Sequence, residues 1–368
     1  MEKMNTPKHP GKLLLSEIEK RGMKQKELAI RTGTSDKHIS TVINGTNSIS
    51  PSFARKLDIA LGDESGTWSR RQAEYDEYEA EIEEKNNISE EEVCVFKGMK
   101  EVVEHFLHLN IMHNHCGDIE KILQLRKVLC VNNLTFIPKI TYNAAYRAQV
   151  RTSTNIDPYV LFAWQRMCEI QTENAVIDAK FDSKKVIKSI PKIKEQMFES
   201  DSKPDRMIES LKSIFSKCGV AFEVVKHFRG APVQGFIKKT DDGRVILCLT
   251  IRGKKADKFW FSLFHEIGHL LSGDFASRFV DFDKVKADME ERADSFACDT
   301  LIDPTRYKKF IESGKYRTLK YINSFADSIG VPNWVVIGRL HNDEWLDWSR
   351  FANQAPSFEW TDDKIERW

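Results

Sequence analysis

The sequence predicts a multidomain, mainly α-helical protein whose C-terminal part has an α+β fold. The chain has 368 residues, which is long for one domain and suits two or three. Apolar residues recur at helical spacing over most of the chain, whereas runs rich in β-branched residues are concentrated between positions 221 and 251. We therefore expect a helical N-terminal domain at 1–75, a helical middle region at 76–200 and an α+β domain at 201–368.

Composition limits the cellular environment that we expect for this chain. Its seven cysteines are an odd number without C-x-x-C pairs, which argues against a disulfide framework and for a reducing compartment. The first residues, Met1 to Thr6, lack the apolar core of a signal peptide, and no apolar run is long enough to cross a bilayer. The sequence thus predicts a soluble cytoplasmic protein with no membrane partner.

The first 75 residues carry the start and stop signals of several short helices. Gly33 and Gly45 can each end a helix, and Ser35 and Ser50 can each cap the next one. Short helices joined by a tight glycine turn form a helix-turn-helix, in which the second helix enters the major groove of DNA. The predicted shared core is Leu28, Ile39 and Val42, and Leu14, Leu15 and Ile18 lie on the inner side of the first helix. The predicted helices are Gly11–Arg21, Gln25–Arg31, Asp36–Ile43 and one starting at Pro51.

Polar side chains at the start of the second helix of this motif are candidates for reading DNA. Lysine can donate to guanine, aspartate can accept from cytosine, and a threonine methyl can contact thymine. An acidic residue there also repels phosphate, so a small helical protein-interaction module is the alternative. The candidate base-contacting residues are Asp36, Lys37, Ser40 and Thr41, and the candidate phosphate contacts are Gln25 and Asn44.

The order of residues from Gln25 to Gly45 resembles the Cro/repressor (XRE) class of DNA-binding domains. His9-Pro10-Gly11, just ahead of it, resembles the HigA-type antitoxin branch of that class. The resemblance implies a double-stranded DNA operator as partner. Because such domains usually read two half-sites as dimers, we expect a homodimer and a palindromic operator.

The segment from His265 to His269 reads His-Glu-Ile-Gly-His and lies in an apolar stretch from Phe259 to Leu271. On a helix, residues i and i+4 share one face, so the imidazoles of His265 and His269 can converge on one Zn²⁺. Glu266 lies beside them, where it can accept a proton from a water at the metal. The alternative is a chance occurrence of the pattern on an ordinary helix with two hydrogen-bonded core histidines.

A third ligand would separate these alternatives, and the segment from Met289 to Ala297 supplies candidates. Glu290 and Asp294 are i and i+4, so their carboxylates face the same way. One of them can complete a tetrahedral site while the other accepts a hydrogen bond from the free N–H of a ligand histidine. The sequence therefore predicts a zinc site.

From about Leu134 onward, the chain resembles the ImmA/IrrE-type metallopeptidases, bacterial zinc enzymes of the gluzincin kind that cut repressors. The resemblance implies a gluzincin-like α+β fold and a protein substrate such as a repressor. The matching stretches are Val245–Arg252, Phe259–His269, Ala293–Ile302 and Val335–Leu340.

The resemblance also implies a role for individual residues. Arg292 stands where the common pattern Glu-x-Glu-Ala-Asn/Asp has its second glutamate. This departure favours Glu290 as the third ligand, and Glu291 stays open as the alternative. The resemblance implies His265, His269 and Glu290 as the zinc ligands and Glu266 as the catalytic base, and Asp294 is the candidate for the carboxylate that holds a ligand histidine.

Around this site the sequence predicts a short sheet, a hairpin turn and a C-terminal helical segment. Asp242-Gly243 is typical of a tight hairpin turn, and Val245–Ile251 is the predicted edge strand that would pair with an extended substrate. Val331–Leu340 is expected to pack against the cleft, with Arg339 facing either substrate or a structural ion pair. A second group, His105, His108, His113, His115 and Cys116, lacks recognised ligand spacing and is interpreted as scattered residues.

Two functions from different classes are consistent with these features. The first is a DNA-binding transcriptional regulator with a zinc-dependent endopeptidase domain that cleaves a repressor or another regulatory protein. The second is a HigA-like antitoxin or repressor whose zinc fold is a non-catalytic sensor or toxin-binding module. A pure scaffold would not need Glu266 beside the metal, which favours the first.

Overall fold

The computed structural model describes residues 7–114, 117–140, 156–200, 203–240, 243–274, 282–361 and 364–367. The chain divides into two compact units, Met1–Val93 with Gly117–Leu123, and Cys94–Cys116 with Gln124–Trp368. The boundary near Val93 falls inside the stretch 76–200 for which the sequence predicts a helical middle region. In the part of the chain that is described, no helix is both long and apolar enough to span a membrane.

The first unit is helical, and its core is the one predicted. Leu28, Ile39 and Val42 are fully buried. Gly33 ends the second helix with a φ of 60°, and the Ser35 side chain accepts a hydrogen bond from the backbone N–H of His38 at 3.2 Å. The helices are α1 (Pro10–Lys20), α2 (Gln25–Thr32), α3 (Asp36–Ile43), α4 (Pro51–Leu61) and α5 (Thr67–Asn86).

Helices continue through the middle of the chain. Val102, Phe106, Trp164 and Met167 are fully buried. His115 and Cys116, from the histidine-containing segment, lie outside the described residues. The helices are α6 (Glu90–Gly98), α7 (Lys100–His108), α8 (Asp118–Leu129), α9 (Pro158–Glu173), α10 (Ser183–Glu195) and α11 (Pro204–Ser216), with short 3₁₀ segments at Leu134–Lys139 and Gln196–Glu199.

A three-stranded sheet follows, made of β1 (Val220–Val224), β2 (Gly235–Lys239) and β3 (Val245–Leu249) in the order β1-β3-β2. The β1 strand runs parallel to β3, and β2 runs antiparallel to it. The predicted hairpin between β2 and β3 is present, although Asp242 lies outside the described residues.

The prediction that Val245–Ile251 forms the edge strand is wrong, because β3 is the central strand of this sheet. All five residues of β3 are buried, whereas β2 ends in the exposed Lys239. An uninterrupted apolar run such as Val-Ile-Leu-Cys-Leu is typical of a strand covered on both faces. The edge next to the histidine helix is β2.

The remaining elements cover the sheet and complete the second unit. Alternate strand residues such as Phe222 and Leu247 join one large core with the histidine helix, while Phe236 packs its ring against Trp164 of α9 on the other face. A C-terminal hairpin, β4–β5, is present that the sequence did not indicate. The elements are α12 (Ala256–Ser272), α13 (Phe282–Leu301), α14 (Pro304–Glu312), a 3₁₀ segment (Lys315–Arg317), α15 (Leu319–Ile329), α16 (Asn333–Asn342), β4 (Phe358–Thr361) and β5 (Lys364–Arg367).

Candidate functional site

Helix α12 brings the two motif histidines together in the interior. His265 and His269 lie on one face of the helix, and their residues are 8% and 6% exposed. Their Nε2 atoms are 3.0 Å apart. Neighbours such as Phe264 and Ile267 are fully buried in the core, so the helix is fixed on its other sides. The imidazoles therefore present a convergent pair of nitrogens.

Helix α13 adds a carboxylate because it crosses α12 at short range. Gly268 makes this approach possible, since a Cβ at that position would lie 3.0 Å from the Cα of Ala293. The Glu290 oxygens lie 3.3 Å from His265 Nε2 and 3.5 Å from His269 Nε2. Among the described residues, these three form the one cluster of His, Cys, Asp or Glu with the spacing of metal ligands.

The neighbour of Glu290 does not take part in this cluster. Glu291 is exposed, one step further round α13. The geometry thus brings together Glu290 and the two histidines, and of the two carboxylates that the sequence left open, it orients Glu290 toward them.

Two further carboxylates hold the outer nitrogens of the imidazoles. His265 Nδ1 donates to Asp294 at 2.7 Å, as the i and i+4 spacing of Glu290 and Asp294 predicted. His269 Nδ1 donates to Asp274 at 2.8 Å. With the proton on Nδ1, each Nε2 keeps a lone pair that can bind a metal.

Asp274 is the residue that sequence reasoning missed. It follows Gly273, whose φ of 74° ends α12 and turns the chain back toward the helix. The side chain of Asp274 is 9% exposed, against 56% for Asp294. A helix-ending glycine followed at once by an aspartate was the available signal.

The carboxylates give the cluster a strongly negative potential. Burial disfavours a charged imidazolium, but hydrogen bonds to Asp294 and Glu290 outweigh it and raise the pKa of His265 to about 10. The pKa of His269 is raised as well. Burial would raise the pKa of Glu290, yet its hydrogen bonds with the two histidines lower it to about 2. Such surroundings favour a bound cation.

The donor set and its spacing fit a tetrahedral zinc ion. Zinc bonds of about 2.0–2.1 Å in a tetrahedron place neighbouring ligand atoms about 3.3–3.4 Å apart. The two Nε2 atoms are 3.0 Å apart, Oε2 of Glu290 lies 3.3 Å from His265 Nε2, and Oε1 of Glu290 lies 3.5 Å from His269 Nε2. His265, His269 and Glu290 therefore fit the three protein ligands of a zinc site, which would leave one tetrahedral position for a water or a substrate.

Glu266 is also buried, 4% exposed, and lies against the first residue of β2. A Cβ on Gly235 would come within 2.3 Å of Glu266 Oε1. The negative charge of Glu266 contributes to the raised pKa values of both His265 and His269, so its carboxylate lies close to the two imidazoles. Glu266 is thus next to His265 in the sequence and packs against Gly235 of β2.

The β2 strand directs backbone groups away from the sheet next to Glu266. Thr250 N donates to Gln234 O at 2.9 Å, and Thr240 N donates to Arg244 O at 2.8 Å. The backbone groups of positions 234 and 240 therefore point toward β3 and its flanking residues. In an antiparallel ladder these positions alternate, so 235, 237 and 239 point their N–H and C=O groups to the other side. In the described sheet, that side is a free edge.

A pocket of about 290 Å³ opens beside α12, on the N-terminal side of the cluster. Phe261, one turn before His265, lines it, and the two rings lie 6.3 Å apart. Gln234, next to Gly235, lines the same pocket and accepts a hydrogen bond from Ser262 at 2.7 Å. Its apolar wall is formed by Phe261, Leu301, Ile302, Val335 and Trp348.

The C-terminal segment expected near the cleft contributes to this pocket. Val335 and Arg339 of α16 both line it. Arg339 donates from Nε to Asp343 at 2.6 Å, which is the ion pair that the sequence left open for this residue. Its guanidinium also lies over the ring of Tyr307, 5.3 Å from the centroid.

The first unit presents the residues expected to read DNA on the surface of its second and third helices. Gln25 starts α2, Lys37 lies in the first turn of α3, and both are exposed, as are Asp36 and Asn44. Ser40 is half-buried. Thr41 is also half-buried, and its hydroxyl donates to the carbonyl of His38 at 2.9 Å, which orients its methyl group.

Comparison with known proteins identifies the first unit. The helices and turn describe a DNA-binding domain of the helix-turn-helix class. Residues 14–68 match the HTH_3 family, whose description is helix-turn-helix, and this part of the chain is an XRE-family domain of that kind. The protein is therefore a DNA-binding regulator. The matched residues end before the histidine cluster.

Among the solved structures, one that is similar to part of this chain has a known source. It is a protein of Nostoc punctiforme PCC 73102, provisionally described as an antidote protein of a plasmid maintenance system. The identity is 30%, the similarity covers 22% of this chain and 88% of that one, and the TM-score is 0.21. No curated protein matches the chain.

Proposed function

We propose that this protein is a transcriptional regulator whose second unit is a zinc-dependent endopeptidase of the ImmA/IrrE type, acting on a repressor or another regulatory protein. The observation that carries the proposal is the cluster of His265, His269 and Glu290 at zinc-ligand spacing with Glu266 beside it. A scaffold would need the first three residues but not the fourth.

The ligand atoms are held firmly enough for this role. Asp294 and Asp274 fix the rings of His265 and His269 through their Nδ1 atoms, and the open fourth position is the feature that distinguishes catalytic from structural zinc sites. When bound, Zn²⁺ supplies Lewis acidity toward a water and a substrate carbonyl.

Glu266 would carry the proton in this reaction. Its carboxylate accepts a proton from the attacking water and then donates it to the nitrogen of the departing amine, so that one group acts first as base and then as acid. Glu266 is 4% exposed, so little bulk water reaches its carboxylate.

The substrate would bind as an extended strand along β2. The outward N–H and C=O groups of Gly235 and Ile237 offer main-chain hydrogen bonds next to Glu266, and an exposed sheet edge recognises extended peptides in this way. The pocket beside Phe261 would take a substrate side chain with an apolar part and a polar end, because its lining combines aromatic and aliphatic residues with charged ones such as Asp257 and Lys258.

The first unit would direct the protein to its own promoter. Lys37 and Thr41 would contact base edges, and the two ends of the motif, Gln25 and Asn44, would contact phosphates. We propose that a homodimer binds a palindromic operator, because domains of this class read two half-sites.

The decisive experiment measures zinc content and cleavage on the same purified proteins. His265→Ala should lose zinc, whereas Glu266→Gln should keep zinc and fold and lose cleavage of a neighbouring gene product by ~10²–10⁴-fold. Glu291→Gln is the matched control, since this exposed neighbour of Glu290 should change neither quantity.

Two outcomes would contradict the proposal. Unchanged zinc content in His265→Ala would refute the metal site. A zinc-loaded wild type that cuts no neighbouring product, together with a Glu266→Gln variant that regulates normally, would refute the peptidase. That second result would support the alternative, an antitoxin-like binding protein whose metal site is not catalytic.

A further inference from the structure

Gly235 lies directly beneath the side chain of Glu266. A Cβ built on Gly235 would come within 2.3 Å of Oε1, 2.5 Å of Cδ and 2.5 Å of Cγ of Glu266. Real Cβ atoms do not approach other heavy atoms this closely, so any side chain at position 235 would displace Glu266. The outer half of the Glu266 side chain therefore packs against the backbone of β2.

The backbone itself does not require a glycine here. The φ of Gly235 lies outside the left-handed region, and the residue pairs with Leu249 in regular antiparallel register. Glycine in a strand costs stability, and where neither a bulge nor an unusual φ explains it, it marks the close approach of another group. At position 235 that group is the Glu266 carboxylate.

The same residue also belongs to the edge strand of the sheet, among the residues that the structure describes. Its N–H and C=O point away from β3, because position 234 is the hydrogen-bonded partner in the ladder. One glycine thus fixes the distance between the carboxylate and the strand edge where the substrate would bind.

We propose that Gly235 is a positioning residue for Glu266: its missing side chain sets the carboxylate between the histidine cluster and the free edge of β2. The proposal rests on the function proposed above, in which Glu266 moves the proton. Different elements then hold the two parts of the site: α12 and α13 hold the ligands, and β2 holds the base.

A double-mutant cycle in thermal stability tests the contact without any cleavage assay. Gly235→Ala should lower the Tm of the full-length protein by roughly 2–10 °C, the range expected for overpacking by one methyl group in a domain of this size. In a Glu266→Ala background the added methyl has room, so the same change should shift the Tm little. Gly98→Ala at the end of α6 is the control for a methyl group that meets nothing within 4 Å, and it should leave the Tm unchanged or raise it, since alanine is the better helix former.

Cleavage and metal content test the consequence. Gly235→Ala should retain about as much zinc as the wild type, because no ligand moves, and should lose about 10²-fold in kcat/KM from the misplaced base. The loss should be in kcat rather than KM, since the strand edge keeps its hydrogen-bonding groups.

Two results would overturn the proposal. Equal Tm losses in the wild-type and Glu266→Ala backgrounds would show that the methyl group acts on the strand and not on Glu266. Full activity of zinc-loaded Gly235→Ala would show that the contact does not position the base. A wild type that cleaves nothing refutes the proposed function. In that case the double-mutant cycle in Tm still tests whether Gly235 and Glu266 are in contact.

Discussion

Asp274 offers the sharpest test of the proposed zinc site, because it is buried and contacts one ligand only. Its carboxylate accepts a hydrogen bond from His269 Nδ1 at 2.8 Å. Asp274→Asn keeps the size of the side chain and an oxygen that can accept the same bond. The change removes the negative charge beside His269, and zinc affinity should fall.

The size of the effect follows from the exposure of the two outer carboxylates. Removing such a partner of a ligand histidine costs about 10–100-fold in metal affinity, or about 1.4–2.7 kcal/mol. Asp274 is 9% exposed, so little water screens its charge. The loss of zinc affinity in Asp274→Asn should therefore be near 100-fold, the upper end of this range. Asp294 is 56% exposed, so Asp294→Asn should lie near 10-fold.

Competition with a zinc chelator of known affinity measures both values. The Kd of each variant is compared with that of the wild type at constant pH, and Glu291→Gln serves as the control on the same helix. A larger loss for Asp294→Asn than for Asp274→Asn would refute the argument from burial. Wild-type affinity in both variants would mean that the outer carboxylates do not support a metal at all.

Three further outcomes are expected. Lys37→Ala and Thr41→Ala should each weaken operator binding by roughly 1–3 kcal/mol in a titration of promoter DNA, and an unchanged affinity would favour the protein-interaction alternative. Ile237→Pro should lower cleavage but not zinc content, because it removes an outward N–H of β2 and no ladder bond; equal cleavage would exclude this edge as the substrate site. Chelation of zinc should lower the Tm of the wild type but not that of Glu290→Gln, and equal shifts in calorimetry would contradict the ligand assignment.

The helical elements near the N-terminus could be predicted because local signals decide them. Ser35 and Ser50 cap the helices that follow them, and Gly33 ends α2, as the sequence indicated. Each of these signals acts within one helical turn, so no knowledge of the tertiary fold was needed. The core residues Leu28 and Ile39 followed from helical spacing in the same way.

Order within the sheet could not be predicted, because strand order depends on contacts far apart in the sequence. Val245–Ile251 was expected at the edge, but the parallel pairing of β3 with β1 puts it in the centre. The close approach of Gly235 to Glu266 was hidden for the same reason, since β2 and α12 meet only in the folded protein. Asp274 was missed because the turn after α12, and not helical spacing, brings it to His269.

These contacts divide the candidate site into two parts with different supports. The ligand atoms depend on the close crossing of α12 and α13 at Gly268 and on the outer carboxylates, whereas Glu266 depends on β2 through Gly235. Metal binding and proton transfer should therefore respond to different substitutions. A peptidase needs both parts, but a binding scaffold needs only the first. Variants such as Asp274→Asn and Gly235→Ala, which each perturb one part, consequently separate the two functional classes more clearly than removal of a ligand, which destroys both.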